Sequence, residues 1–451
     1  MESAVVIIVH EKKFLKTVKT ALEHHKILDH TRKISKDGLV YTTISEIEDL
    51  EKFPTVWNII VQNRDSITLE KIQVEKSRSV EILNIIDQFL REFADQRNIQ
   101  KSHLPSKLPK KWSIYPPMVL FGANTFDDQD WGLFFHKNNI HENEFYRQLL
   151  DYCFKDQEEE ITHIAINKPI PLSNIDSARE NIKRIPLNIL PIYGDFGPEP
   201  SLNMIHNPTS TDLQNAFWCH SKQNGVYQYW APRFIMFSRG NIKEKIRIFE
   251  TFDNIAGNDI IDLYAGIGYF TLCYLKKDCR KLYAWELNPW SIEGLKKGCE
   301  KNGFKYQVIR NNMPWIYDPT ARIYIFNESN EFAPQRFGEL SSILATSQIL
   351  RLTHINLGLL PSSKPSWEIS MEIIKNFKIS DLDLDSIVHV HENVHIREFD
   401  SFIKSTESEL SKLVNNTGSK YNVKYLHLER IKTYAPDVWH VCVDYSVGSL
   451  A

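Results

Sequence analysis

The spacing of apolar residues changes character along the chain. Residues 1 to about 98 alternate short apolar stretches with charged, helix-like ones. The opening MESAVVIIVHEKKFLK has neither a basic lead nor a small-residue cleavage site, so it predicts a first strand rather than a signal peptide. From Ser79 to Gln96, the residues Val80, Ile82, Leu83, Ile85, Ile86, Phe89, Leu90 and Phe93 recur at near-helical spacing and predict a helix. Between His103 and Pro117, Pro105, Pro109, Pro116 and Pro117 mark a boundary. The block from about 110 to 225 is mixed, with a helix predicted around Glu142 to Phe154. In its run RIPLNILPIYGDFGPEP, from Arg184 to Pro200, four prolines and two glycines exclude regular structure across the run. From about 226 the texture becomes strands alternating with helices. DIIDLY, KLYAWEL, YQVI, ARIYIF, HINLGLL and IVHVHENV read as strands, which implies a parallel sheet with helices on both faces. The terminal VWHVCVDYSV predicts an edge strand. The expected organisation is an N-terminal α+β domain over 1–109, a middle domain over 110–225 and an α/β domain over 226–451.

Composition narrows the class. A chain of 451 residues, 42% hydrophobic and 25% charged, is that of a soluble protein of two or three domains. No apolar run reaches the roughly 18 to 20 residues that a membrane helix needs. Six scattered cysteines without a C-x-x-C give no metal site and no disulfide framework, and fit a reducing, cytoplasmic setting. The formal net charge is −3, so a nucleic-acid site must be a local basic surface. Lys101, His103, Lys107, Lys110 and Lys111, ending at Trp112, offer cations for phosphates and an aromatic face for an unpaired base. A solvated linker is the other reading of that cluster.

The stretch NDIIDLYAGIGYFTL runs from an apolar strand into a glycine turn and then a helix. Ligands of open α/β sheets sit beyond the carboxyl ends of the strands. Gly266 and Gly268 permit a tight turn and close approach to a ligand. Asp262 at the strand end can accept hydrogen bonds from a ligand ammonium or an ordered water. Glu286 closes a second strand, twenty residues after Gly266, where a carboxylate can accept both ribose hydroxyls. A dinucleotide fingerprint needs a third small residue where Thr271 stands, and a Walker loop needs a G-K-[ST] that is absent. The D-x-x-A-G-x-G form suits a cofactor without phosphate, S-adenosylmethionine, on a Rossmann-like methyltransferase-type fold. After the third strand, Asn311 and Asn312 offer amides to an adenine edge, or else form a surface turn.

The segment just upstream, Met236 to Arg247 (MFSRGNIKEKIR), resembles the tRNA wybutosine-synthesising protein 2 family, with its M-F-S-x-G-N-x-x-E-K-x-R. So do Asp262 to Leu272, Glu286 to Pro289 and Asn356 to Ser363 (NLGLLPSS), along with WSIYPPMVLFGANTFDDQDW, RIPLNILPIYGDFGP, IVHVHENV and YAPDVWHV. The resemblance covers roughly residues 104 to 445. It implies a 3-amino-3-carboxypropyl transfer from S-adenosylmethionine to the tricyclic base beside the anticodon of phenylalanine tRNA. It also implies cofactor contacts at Ser238, Lys245, Glu286, Asn311 and Asn312. The family's usual pair after the third strand is Asp-Asn; here it is Asn-Asn, which gives up a negative charge. The related tRNA guanine-37 N1-methyltransferases look like N-L-P in the fourth motif, and the longer motif here favours the aminocarboxypropyl transferase. A non-catalytic tRNA-binding protein with a vestigial cofactor fold is the alternative from another class. Asn356 is expected at the edge of the substrate base. His354 reads either as a base or as a packed strand histidine, and no catalytic base is assigned. The substrate base lies in the anticodon stem-loop, so recognition of an unpaired base by stacking is expected.

Overall fold

The apolar opening of the chain becomes a central strand. In the computed structural model Glu2–Val9 (β1) pairs antiparallel with both Leu39–Tyr41 (β2) and Ile67–Val74 (β3). Val5, Ile7 and Val9 alternate onto one face, where they pack with Val18 and Leu22 of Leu15–His24 (α1) and with Val56 and Ile60 of Pro54–Gln62 (α2). The structure describes the whole chain except residues 1, 30, 31, 33, 36, 37, 75–77, 107, 110, 111, 124, 127, 169–188, 347, 348, 380–383, 417–420, 450 and 451. Lys107, Lys110 and Lys111 of the basic cluster, and the start of the turn-rich run, therefore lie outside the described residues.

The helix predicted from Ser79 spans Arg78–Gln96 (α3). By internal packing the chain divides into two units: Met1–Trp112 with Asn124–Glu160, and Ser113–Ala123 with Ile161–Ala451. The expected middle block, 110–225, is shared between them. The second unit opens with strands Trp112–Tyr115 (β4) and Met118–Gly122 (β5). Gln129–Lys137 (α4) and Glu142–Cys153 (α5) belong to the first unit, where Phe145 of α5 meets Phe93 of α3 edge to face, with centroids 5.2 Å apart.

The second unit continues with His163–Asn167 (β6), Ile189–Tyr193 (β7), the short helices Leu202–His206 (α6) and Ser210–Asn215 (α7), and the hairpin Cys219–Gln223 (β8) and Val226–Trp230 (β9). Regular structure was not expected at β7. It forms because Pro191 stands in an edge strand of the sheet β4-β5-β6-β7, where a missing N–H is tolerated. Helix Ile242–Thr251 (α8) then leads into Asp259–Asp262 (β10), Thr271–Lys276 (α9), Lys281–Trp285 (β11), Pro289–Asn302 (α10), Tyr306–Arg310 (β12) and Ile323–Asn327 (β13). Ala333–Leu344 (α11), Leu352–Leu357 (β14), Trp367–Phe377 (α12), Ser386–His395 (β15), Phe399–Asn415 (α13), Tyr421–Ala435 (β16) and Val438–Ser449 (β17) complete the chain.

The central sheet has the order β12-β13-β11-β10-β14-β15-β17-β16 and is parallel up to β15, antiparallel beyond. Its inner strands bury both faces. Ile260, Leu282, Ala284 and Ile325 enter one core, while Ile261, Tyr283, Trp285 and Phe326 enter the other. The continuous apolar runs of the sequence have this cause. This is the α/β, Rossmann-like architecture expected of the C-terminal half. One expectation is corrected: VWHVCVDYSV is not the edge. β17 lies between β15 and β16, and the edge is the more polar β16, whose apolar–polar pattern is broken by three register shifts.

Candidate active site

The turn between β10 and α9 is built on two left-handed glycines, Gly266 at φ +56° and Gly268 at φ +87°. A Cβ at Gly268 would stand 2.6 Å from Leu295 Cδ1 and 2.9 Å from Leu272 Cγ, so helix α10 closes on the turn from behind. The Gly266 N–H donates to Glu286 Oε2 at 2.8 Å, and the Asn288 N–H donates to Glu286 Oε1 at 2.7 Å. Two backbone amides thus fix the Glu286 carboxylate at the carboxyl end of β11.

Asp262 is bonded within the sheet and to the first turn of the helix that follows. It is buried, and its oxygens accept from the Tyr264 N–H at 3.2 Å, Asn356 Nδ2 at 3.0 Å and Thr271 Oγ1 at 2.7 Å. Burial pushes its pKa up, against the pull of the Asn356, Thr271 and Tyr264 donors. Asp262 ties the ends of β10 and β14 to the first turn of α9. Asn356, buried as well, directs its amide nitrogen into this tie.

Ser238 precedes α8. Its N–H donates to the Tyr269 hydroxyl at 2.9 Å, and that hydroxyl donates to the Met236 carbonyl at 3.0 Å. The Ser238 hydroxyl donates to Asn241 Oδ1 at 3.2 Å and accepts from Lys432 Nζ at 3.0 Å. Lys432 comes from the edge strand β16, and sequence reasoning missed it because nothing local links positions 194 residues apart. Lys245 is buried and donates to Gln223 Oε1 at 2.7 Å and Gln228 Oε1 at 2.5 Å. Burial lowers its pKa to about 8.

Asn311 and Asn312 lie in an exposed turn after β12, with Asn312 at φ +60°, a conformation Asn tolerates. That turn is held from α11: Arg336 donates to the Met313 carbonyl at 2.9 Å while paired with the buried Glu328. Arg336 is a second supporting residue that the sequence did not reveal.

His354 proves to be packed. Its Nε2 meets the Asp253 carbonyl at 2.7 Å, its Nδ1 meets His389 Nε2 at 2.9 Å, and burial lowers its pKa to about 3. A carbonyl only accepts, so His354 carries its proton on Nε2 and accepts at Nδ1. His389 Nε2 faces His354, and its Nδ1 lies 2.7 Å from Asp444 Oδ1. Arg247 of α8 donates to Glu244 at 2.6 and 2.8 Å and to Asp444. One buried guanidinium, Arg247, thus faces two buried carboxylates. Metal-ligating atoms of Glu244, His391 and Cys442 lie within 4.8 Å of one another, but Arg247 Nη2 sits 3.3 Å from Cys442 Sγ and repels a cation there.

The glycine turn, the anchored carboxylate and the exposed asparagines share the carboxyl end of the sheet. Together they suit a nucleoside: backbone that can be approached closely, an acceptor for vicinal hydroxyls, and amides for a purine edge.

Residues 220–313 match the model of the TRM5/TYW2 methyltransferase domain. The chain is 38% identical over 477 residues to "tRNA wybutosine-synthesizing protein 2" of Saccharomyces cerevisiae, with 98% of each chain covered. It is 35% identical over 378 residues to the protein of that name in Schizosaccharomyces pombe, covering 83% of this chain and 80% of that one. A solved structure, P. horikoshii TYW2 in complex with MeSAdo, aligns with a TM-score of 0.48 and 17% identity over 80% of this chain and 98% of that one.

Proposed function

Because the chain belongs to the tRNA wybutosine-synthesizing protein 2 family, we propose that it transfers the 3-amino-3-carboxypropyl group of S-adenosylmethionine to the tricyclic 4-demethylwyosine base of tRNA(Phe), next to the anticodon. The observation that carries this reading is the 38% identity along 98% of both chains. The residues support it. Glu286, which accepts from two backbone amides, would accept the ribose hydroxyls, and Asn311 and Asn312 would take the adenine edge. The Ser238 hydroxyl and Lys432 ammonium, 3.0 Å apart, form a polar, cationic corner suited to a carboxylate.

S-adenosylmethionine supplies a sulfonium with a choice of electrophilic carbons. The chain's own task is to orient the methionine arm so that the γ-carbon meets the base, and positioning of this kind supplies much of the rate. Asp262 and Asn356 set the relative heights of β10 and β14, and so the floor on which the base stands. The family's tRNA substrate fits a cytoplasmic protein, and the six cysteines are all buried free thiols. No helix among the described residues is long and apolar enough to cross a membrane.

Mass spectrometry of hypomodified tRNA(Phe), incubated with protein and cofactor, tests the reaction. The expected gain is one aminocarboxypropyl group, with label from the cofactor's carboxyl carbon. A single methyl gained, carrying methyl label, would identify a guanine methyltransferase instead. No gain at all, together with no binding of S-adenosylmethionine by calorimetry, would point to the vestigial reading.

A further inference from the structure

The hairpin β8–β9 reaches the glycine turn through one buried side chain. Gln228 of β9 is 1% exposed. Its Nε2 donates to the Gly268 carbonyl at 2.9 Å and to the Tyr269 carbonyl at 3.2 Å. Its Oε1 accepts from Lys245 Nζ. Lys245 also lies over the rings of Tyr269, at 5.3 Å from the centroid, and Phe237, at 5.6 Å. The Tyr269 hydroxyl in turn holds Ser238 and Met236. The contacts close a ring: hairpin, glycine turn, the segment before α8, and α8 itself.

The order of the atoms matters. Lys245 presents a cation to the oxygen of Gln228, and this fixes which end of the amide points toward the turn. With the oxygen engaged, the NH₂ must face the two carbonyls, the only arrangement in which every partner is satisfied. An unoriented glutamine would turn an acceptor toward acceptors. The Gly268 and Tyr269 carbonyls are thereby held on the hairpin side of the turn. The hairpin itself is held against α10: a Cβ at Gly294 would stand 2.5 Å from the Tyr229 carbonyl, and Asn302 bonds the Tyr227 N–H at 3.0 Å and its carbonyl at 2.8 Å.

We propose that Gln228 is a positioning residue of the transfer reaction, oriented by Lys245. The pair sets the carbonyls of Gly268 and Tyr269, and through Tyr269 it sets the approach of Ser238 to the methionine arm. This deepens the proposed function and rests on it for the identity of the arm.

Gln228→Glu is the informative variant. It keeps size and can pair with Lys245, yet it offers the two carbonyls no donor. The full-length protein is expected to melt below the wild-type temperature but stay folded at the assay temperature, bind S-adenosylmethionine at least tenfold more weakly by calorimetry, and transfer at least tenfold more slowly at saturating cofactor. A purely structural side chain would lower the melting temperature and leave the saturated rate intact, and that result would overturn the proposal, as would wild-type affinity and rate. If Gln228→Glu does not fold, Lys245→Met is measured in the same way. It should reproduce the loss of affinity and of saturated rate, and wild-type values would overturn the proposal. A wild-type protein that binds the cofactor but modifies no tRNA would remove the proposed reaction, while the calorimetric comparison would still decide the role of Gln228.

Discussion

At the scale of single residues, the buried charges are the most exacting feature. Arg247, Glu244 and Asp444 are buried together, and Asp444 is held well below the usual carboxylate range by His389 and Arg247 in spite of its burial. Removal of one partner leaves an uncompensated charge. Arg247→Ala is expected to cost about 3–5 kcal/mol of stability, read as a shift in denaturant midpoint. Glu392 carries a different signature. Half-burial pushes its pKa up to about 7, against the pull of Ser362, the Ser363 amide and Lys364. Its folded-state pKa exceeds the unfolded value, so its contribution to stability is fully present below the unfolded pKa and is lost as pH rises through about 7. Melting curves at pH 5 and pH 8 should show this loss, and Glu392→Gln should melt higher than wild type at pH 8 while losing that part of the pH dependence. An unchanged profile in Glu392→Gln would mean that another group titrates.

At the scale of elements, the glycine turn depends on its neighbours as much as on its own residues. The pattern D-x-x-A-G-x-G announces a strand, a turn and a helix, but the turn's shape comes from Glu286 on β11, Gln228 on β9 and Leu295 on α10. Gly268→Ala should fail on two counts. Its φ of +87° strains an L residue, and its new methyl meets Leu295 and Leu272. A loss of roughly 1–3 kcal/mol in stability is expected, accompanied by weaker S-adenosylmethionine binding. Wild-type melting and affinity in this variant would show that the turn relaxes without consequence. Strands β16 and β17 make the complementary point. Both were readable as extended segments, yet which one forms the sheet edge followed only from pairing. β17 is buried on the side of β15, and β16 supplies Lys432 to Ser238.

At the scale of the whole molecule, the chain forms two units, each packed within itself. The second holds the cofactor-type site, and the basic residues Lys107, Lys110 and Lys111 fall in the sequence close to its first strand. Their simultaneous replacement by Ala should weaken binding of tRNA(Phe) and flatten its salt dependence, with cofactor affinity unchanged. Filter binding across a salt series checks this, and wild-type tRNA affinity at moderate salt would remove the cluster from the tRNA surface.

The sequence by itself determined the strand–glycine turn–helix unit, the alternation that makes an α/β sheet, and the acidic residue at the end of the second strand. Each is written in neighbouring positions: period-two or continuous apolar runs, glycines where φ is positive, a fixed spacing to Glu286. It also carried the family resemblance through short linear motifs. Only the tertiary structure decided how those residues are used. Asp262 and Asn356, read as ligand-facing, bond to each other, and His354, open as a base, is packed against His389. Lys245, read as a cofactor contact, is engaged by Gln223 and Gln228, while Gln228, Arg336 and Lys432 went unnoticed. The physical reason is the same in each case. A polar group's partner is set by who else is buried beside it, and the partners here come from elements far apart in the chain, brought together by a sheet whose order no local pattern encodes.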